Sequence, residues 1–171
     1  MILTIIATVI TFVYVLAALL KSKGEIPPTL SDTAYVWESN CDHNGQTHKG
    51  YWFTLYCFVT SALVFYPWIC ATSDNFQFLC FLGCAGMLFA GITPFFRTEN
   101  YWIHLSGGTL AVASVLIWFF VSGFWGFSVF LIIIFIVGLK EDAFFFLGEV
   151  LSLFFLMITL SVLSILPYTF N

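Results

Sequence analysis

Six apolar runs, each near the length that crosses a lipid bilayer, make up most of this chain, and every Lys and Arg lies in the connections on one side of them. A hydrocarbon core of roughly 30 Å needs about 20 mostly apolar residues in a helix. The runs are Ile2 to Leu20, Tyr51 to Ala71, Phe76 to Phe96, Tyr101 to Val121, Phe124 to Leu139 and Ala143 to Leu166. The fifth is short, which predicts a thin or oblique crossing. All six are apolar all round, whereas the strands of a membrane barrel alternate. The expected fold class is all-α: a polytopic transmembrane bundle of six helices in one domain, residues 1–171, with a long loop, residues 21–50, after the first helix. Charge content agrees. Only 8% of residues are charged, against about 25% in a soluble domain, too few to cover a water-facing surface. The first run has no basic leader or small-residue cleavage pattern, so it reads as a retained helix and not a signal peptide.

With six spans, the first, third and fifth connections share one face and hold Lys21, Lys23, Lys49, Arg97 and Lys140, all five basic residues. The positive-inside rule then puts the 21–50 loop in the cytoplasm and both termini on the opposite side, in a cell membrane or endomembrane. A net charge of −4 offers no surface for nucleic acid. Cys57, Cys70, Cys80 and Cys84 fall in or at the ends of apolar runs, where Cys packs as a small apolar residue. Cys41 stands alone in the loop. No Cys or Cys/His spacing suits a metal, so neither a zinc site nor a disulfide framework is expected.

The polar segment from Lys21 to Gly50 contains Ile26-Pro27-Pro28-Thr29-Leu30-Ser31-Asp32-Thr33. Two prolines enforce an extended entry, after which Ser31 or Asp32 is placed to cap a short helix from Ala34 to Trp37. The segment's apolar side chains favour a position against the membrane face, as a lid. Small residues mark where helices approach closely: Gly86-xxx-Ala90 in the third run and Gly107-xxx-Ala111 in the fourth. They serve packing within the bundle or, as the lesser option, pairing with a second copy. Thr4, Thr8 and Thr11 form a polar stripe on the first helix, bonded to its own backbone or to a neighbour. Pro67 inside the second helix should kink it or free a carbonyl.

Ionisable groups inside hydrocarbon are costly, so each needs an explanation. His104 lies about one turn into the fourth run and Glu149 about two turns into the sixth, at depths of roughly 5 Å and 10 Å from the same face. Ser152 lies one turn from Glu149 on the same stripe, and Arg97 leads toward His104. Ser31 and Asp32 are candidates to fold over this opening and, with Arg97 and Ser152, to contact a ligand. A carboxylate facing an imidazole can stabilise the imidazolium or orient the ring as a base. The plainer alternatives are an interfacial His bonded to a loop carbonyl and a structural buried pair for Glu149.

No GxSxG elbow, HExxH pair, Walker loop or dinucleotide fingerprint occurs. One intramembrane His cannot supply both axial ligands of a b-type haem, and no cofactor is expected. Two segments carry a family resemblance. Pro27-Pro28-Thr29-Leu30-Ser31-Asp32-Thr33 resembles the Pro-x-[Ile/Leu]-Ser-[Asp] stretch of the Frag1/DRAM/Sfk1 family, and Ile103-His104-Leu105-Ser106-Gly107-Gly108 is similar to its Ile/Val-His-x-x-Gly-Ala motif. The resemblance implies six spans and carries over Ser31, Asp32, His104 and Gly107. It names no single reaction, since the family ranges from GPI-anchor remodelling to autophagy modulation. Gly108 stands where Ala is usual. The family's first loop lies on the lumenal or outer side, opposite to the charge count.

Three functions are compatible with these residues. The first is a non-enzymatic lipid-binding or scaffolding protein with a polar pocket in one leaflet, whose partners are membrane lipids, a protein or a second copy. The second is an intramembrane lipid-modifying enzyme for acyl transfer or hydrolysis, with His104 as base and Glu149 as orienting group or acid. The third is a small transporter titrating Glu149. The first asks least of the sequence.

Overall fold

The computed structural model describes residues 1–22, 26–36, 51–92 and 101–165, and the secondary structure within them is helical. The helices are α1 (Ile2–Lys21), α2 (Thr33–Val36), α3 (Tyr51–Cys70), α4 (Phe78–Ile92), α5 (Tyr101–Val121), α6 (Trp125–Gly138) and α7 (Asp142–Leu163). Among the described residues, five stretches are long and apolar enough to cross a membrane: Ile2–Lys21, Tyr51–Cys70, Asp74–Ile92, Trp102–Val121 and Ala143–Leu163. The third includes a 3₁₀ turn, Asp74–Phe76, ahead of α4, so the α-helix starts later than the apolar run does. At 14 residues, α6 rises about 21 Å, short of the hydrocarbon thickness.

Each long helix packs against the next in sequence, and α7 closes the ring onto α1. The packing is inside-out relative to a soluble bundle. On α1 the buried stripe is Thr4, Ala7, Thr11, Val15 and Ala18, while Ile5, Val9, Phe12, Val13 and Leu16 point outward. Such an arrangement suits a solvent of acyl chains, where close backbone approach and hydrogen bonds hold helices together. The threonines act accordingly: Thr8 Oγ1 donates to the Thr4 carbonyl (2.8 Å), and Ser161 Oγ on α7 donates to Thr4 Oγ1 (2.7 Å).

The α4–α5 crossing is set by glycine. A Cβ on Gly86 would lie 2.6 Å from both the Ala111 nitrogen and the Gly107 oxygen, and one on Gly107 would lie 2.9 Å from the Ala90 nitrogen. Backbone therefore touches backbone at Gly86, Ala90, Gly107 and Ala111, within a single chain. At the other end of α5, Gly123 adopts φ +85°. Gly123 N–H reaches the Phe120 carbonyl (3.3 Å) and Phe124 N–H the Phe119 carbonyl (2.8 Å), a Schellman stop. Its usual apolar contact is the edge-on Phe119–Phe124 pair. Helix α3 runs through Pro67 without a break in its assignment.

Two buried clusters divide the interior. One gathers Trp68, Leu79, Trp118, Phe119, Leu131, Leu160 and neighbours at the end remote from α2. The other joins Val15, Phe53, Tyr56, Phe146 and Val150 to Leu30 and Ala34 of the capping segment. Between them the helices do not meet fully.

Candidate functional site

That gap is a cavity of about 80 Å³, walled by α3, α4, α5 and α7 and capped by Leu30 and Ser31. Helix α3 contributes Phe53, Tyr56, Cys57, Thr60, Val64 and Trp68, a single stripe at helical spacing. From Phe53 to Trp68 this stripe rises about 22 Å. Beyond its lining residues Trp68, Val115 and Met157 lie Trp118, Phe119 and Leu160, all fully buried. The walls are largely apolar, with Ser31, His104 and Glu149 gathered at the mouth.

The mouth is built on the segment that leads into α2. Thr29 organises it. Its Oγ1 donates to Asp32 Oδ2 (2.8 Å) and accepts the Asp32 N–H (3.2 Å), a variant of the capping box. Ser31 and Asp32 form the turn itself, and α2 begins one residue earlier than expected, at Thr33. Leu30 and Ala34 anchor the turn by burial among α1, α3 and α7.

Three helices hold this cap. From α7, Glu149 Oε2 accepts the Leu30 N–H at 2.6 Å. From α5, His104 Nε2 meets Ser31 Oγ at 2.8 Å. From α1, the Tyr14 hydroxyl meets Thr33 Oγ1 at 2.6 Å. Thr33 spends its own proton on the Leu30 carbonyl, so Tyr14 is the donor. Ser31 Oγ also lies 2.7 Å from Thr29 Oγ1, which ties the His104 contact to the turn.

His104 and Glu149 line the same cavity, and the connection between them in the structure runs through the Leu30–Ser31 peptide. Glu149 is only partly shielded because its side chain borders the cavity. Ser152 also lines it, but donates its proton to the Gly148 carbonyl (2.7 Å) on its own helix. Asp32 stays in the turn with Thr29. Arg97 and Cys41 lie outside the described residues, as does most of the 21–50 loop. Among the described residues no group of three or more His, Cys, Asp or Glu side chains is placed to hold a metal ion.

No protein-family model, curated protein or solved structure matches this chain.

Sequence reasoning missed Tyr14, Thr29 and Thr33, and with them the latch itself. A Thr followed three residues later by an acidic residue was the available signal for the turn. Nothing local marks Tyr14, whose partner lies 19 residues away. Tyr14→Phe removes that donor while keeping the ring stacked on Tyr56 at 4.3 Å. The expected cost is about 1 kcal/mol, read as a small drop in thermal stability in detergent. An unchanged melting curve would mean that the Leu30 carbonyl alone holds Thr33.

Proposed function

We propose that this chain is a six-span membrane protein that takes the apolar chain of a lipid into its central cavity, under a cap closed by His104, Glu149 and Tyr14. The observation that carries this reading is the pairing of a deep apolar cavity with a polar latch at one membrane boundary. A lipid chain gains stabilisation by filling such a space, and its polar end finds Ser31, His104 and Glu149 at the interface. α6 serves as the sixth, thin span. The capped face is cytoplasmic by the charge count, which labelling of Cys41 with an impermeant thiol reagent in sealed vesicles checks. Labelling from the outside would favour the side implied by the resemblance to Frag1/DRAM/Sfk1 proteins.

The enzymatic alternative needs Glu149 to act on His104, whereas Glu149 Oε2 accepts the Leu30 N–H and His104 Nε2 meets Ser31 Oγ. Transport needs a path to the far face, and the lining ends below the buried Trp118 and Phe119. Binding without turnover asks for neither.

Gly108 supplies the test. It lines the cavity, and a Cβ there would meet nothing within 4 Å. Gly108→Leu projects a side chain into that space without disturbing the helix crossing one residue away. Binding of tritiated monostearoylglycerol to the detergent-solubilised protein is expected to weaken at least about tenfold, which is about 1.4 kcal/mol, with little change in melting temperature. Unaltered affinity would place the lipid elsewhere and overturn the reading.

A further inference from the structure

Four seams separate the helices that wall the cavity, and three of them are shut. Between α4 and α5, backbone lies on backbone at Gly86 and Gly107. Between α3 and α4, Thr54 Oγ1 donates to the Gly91 carbonyl, and a Cβ on Gly91 would lie 2.6 Å from that of Cys57. The α3–α7 seam is covered by α1, whose Thr11 bonds to both Tyr56 and Met157. The fourth seam, between α5 and α7, is covered by α6 in one half. There Ser128 Oγ donates to the Leu116 carbonyl (2.8 Å), and Phe127 packs on Phe119 at 5.5 Å and on Phe155 at 4.9 Å. The contacts of the second half of α6 run to α7, with Phe135 on Phe145 at 5.3 Å and Gly138 against the Phe145 backbone. Exposure follows this divergence. The cavity-lining residues of α3 and α4 are buried apart from Met87, whereas His104, Gly108 and Val112 of α5 and Glu149 and Leu153 of α7 are half-exposed. A Cβ on Gly108 would meet nothing within 4 Å.

Gly108 and Val112 lie one and two turns beyond His104, and Leu153 lies one turn beyond Glu149. The thinly covered stretch is thus at acyl depth, just beneath the latch. At about 80 Å³, the cavity is smaller than the roughly 300–1,000 Å³ of ordinary ligand sites, so a wall has to part before a chain can enter. We infer that α5 and α7 form a lateral gate through which a lipid of the cap-side leaflet slides its chain into the cavity. The inference rests on the lipid-chain reading above and narrows its ligand to lipids already resident in that leaflet. Moving sideways, such a lipid keeps its polar end at the latch and its chain among other chains. Entry under the cap would instead draw the chain through water against the hydrophobic effect.

The test combines Val112→Cys with Leu153→Cys and bridges the pair with a reducible bis-methanethiosulfonate in protein held in nanodiscs. Tritiated monostearoylglycerol is added before or after bridging. Bridging first is expected to cut the uptake rate at least about tenfold, bridging after loading to slow release as much, and reductant to restore both. Each single variant, treated alike, accounts for modification of the native cysteines. Unchanged uptake and release in the bridged protein overturn the gate and leave the lipid-chain reading standing, as does a speeding of both in Tyr14→Phe alone, which assigns the route to the cap. Slower uptake with faster release shows that the bridge merely fills the cavity, and also overturns the gate. Absence of binding to the unbridged protein overturns both. Where the pair does not bridge, Val112→Phe combined with Leu153→Phe must slow uptake and release together, and any other pattern overturns the gate.

Discussion

Gly86→Leu is expected to prevent α4 and α5 from meeting, and it should be the most damaging single change in the bundle outside the cap. The side chain would have to grow from a point 2.6 Å from two backbone atoms of α5, the Ala111 nitrogen and the Gly107 oxygen. Neither can yield as a flexible side chain does. The helices must separate, and Ala90 and Ala111 lose contact with them. Overpacking a rigid contact costs about 3 kcal/mol or more, which lowers the melting temperature by roughly 10 °C. Gly107→Leu should match it, since its Cβ would meet the Ala90 nitrogen at 2.9 Å. Gly108→Leu, the next residue, is the contrast. Thermal melting of the three variants in one detergent separates a packing glycine from a cavity-lining one. Equal stability of all three would show that the α4–α5 contact is not tight.

Glu149→Leu is expected to release the cap. The carboxyl accepts the Leu30 amide across 119 residues of sequence, at 2.6 Å. Removing the acceptor leaves the buried Leu30 N–H unpaired, at a cost of about 1–3 kcal/mol, so opening of the turn should rise by about one to two orders of magnitude. Hydrogen exchange at the Leu30 amide reads this directly, because that proton is the bonded one. Glu149→Gln keeps an acceptor in place and should raise exchange by less, about threefold to tenfold. Exchange that is unmoved by either change would show that Leu30 burial and the His104 and Tyr14 contacts hold the cap alone.

The bundle was legible in the sequence because lipid leaves little choice. Helix positions follow from apolar length, and the small residues at 86, 90, 107 and 111 stand out against Phe, Leu and Ile. That His104 and Glu149 lie near one another was legible too, since both count from a helix start, and both line one cavity. Their means of connection was not. Depth says nothing about which way a side chain turns around the axis, and the peptide between them comes from residues 30 and 31, far away in sequence. The turn was expected, but the bonds by which Thr29 organises it were not, because Thr29, Ser31 and Asp32 are all good turn and cap residues.

The capping turn belongs to the first fifth of the chain, and the carboxyl that ties it down belongs to the last helix. During synthesis Leu30 emerges long before Glu149 exists, so the mouth stays unsealed until α7 is made and docks. Closure of the cavity thus depends on the two ends of the described fold meeting, and α7 acts as its fastener.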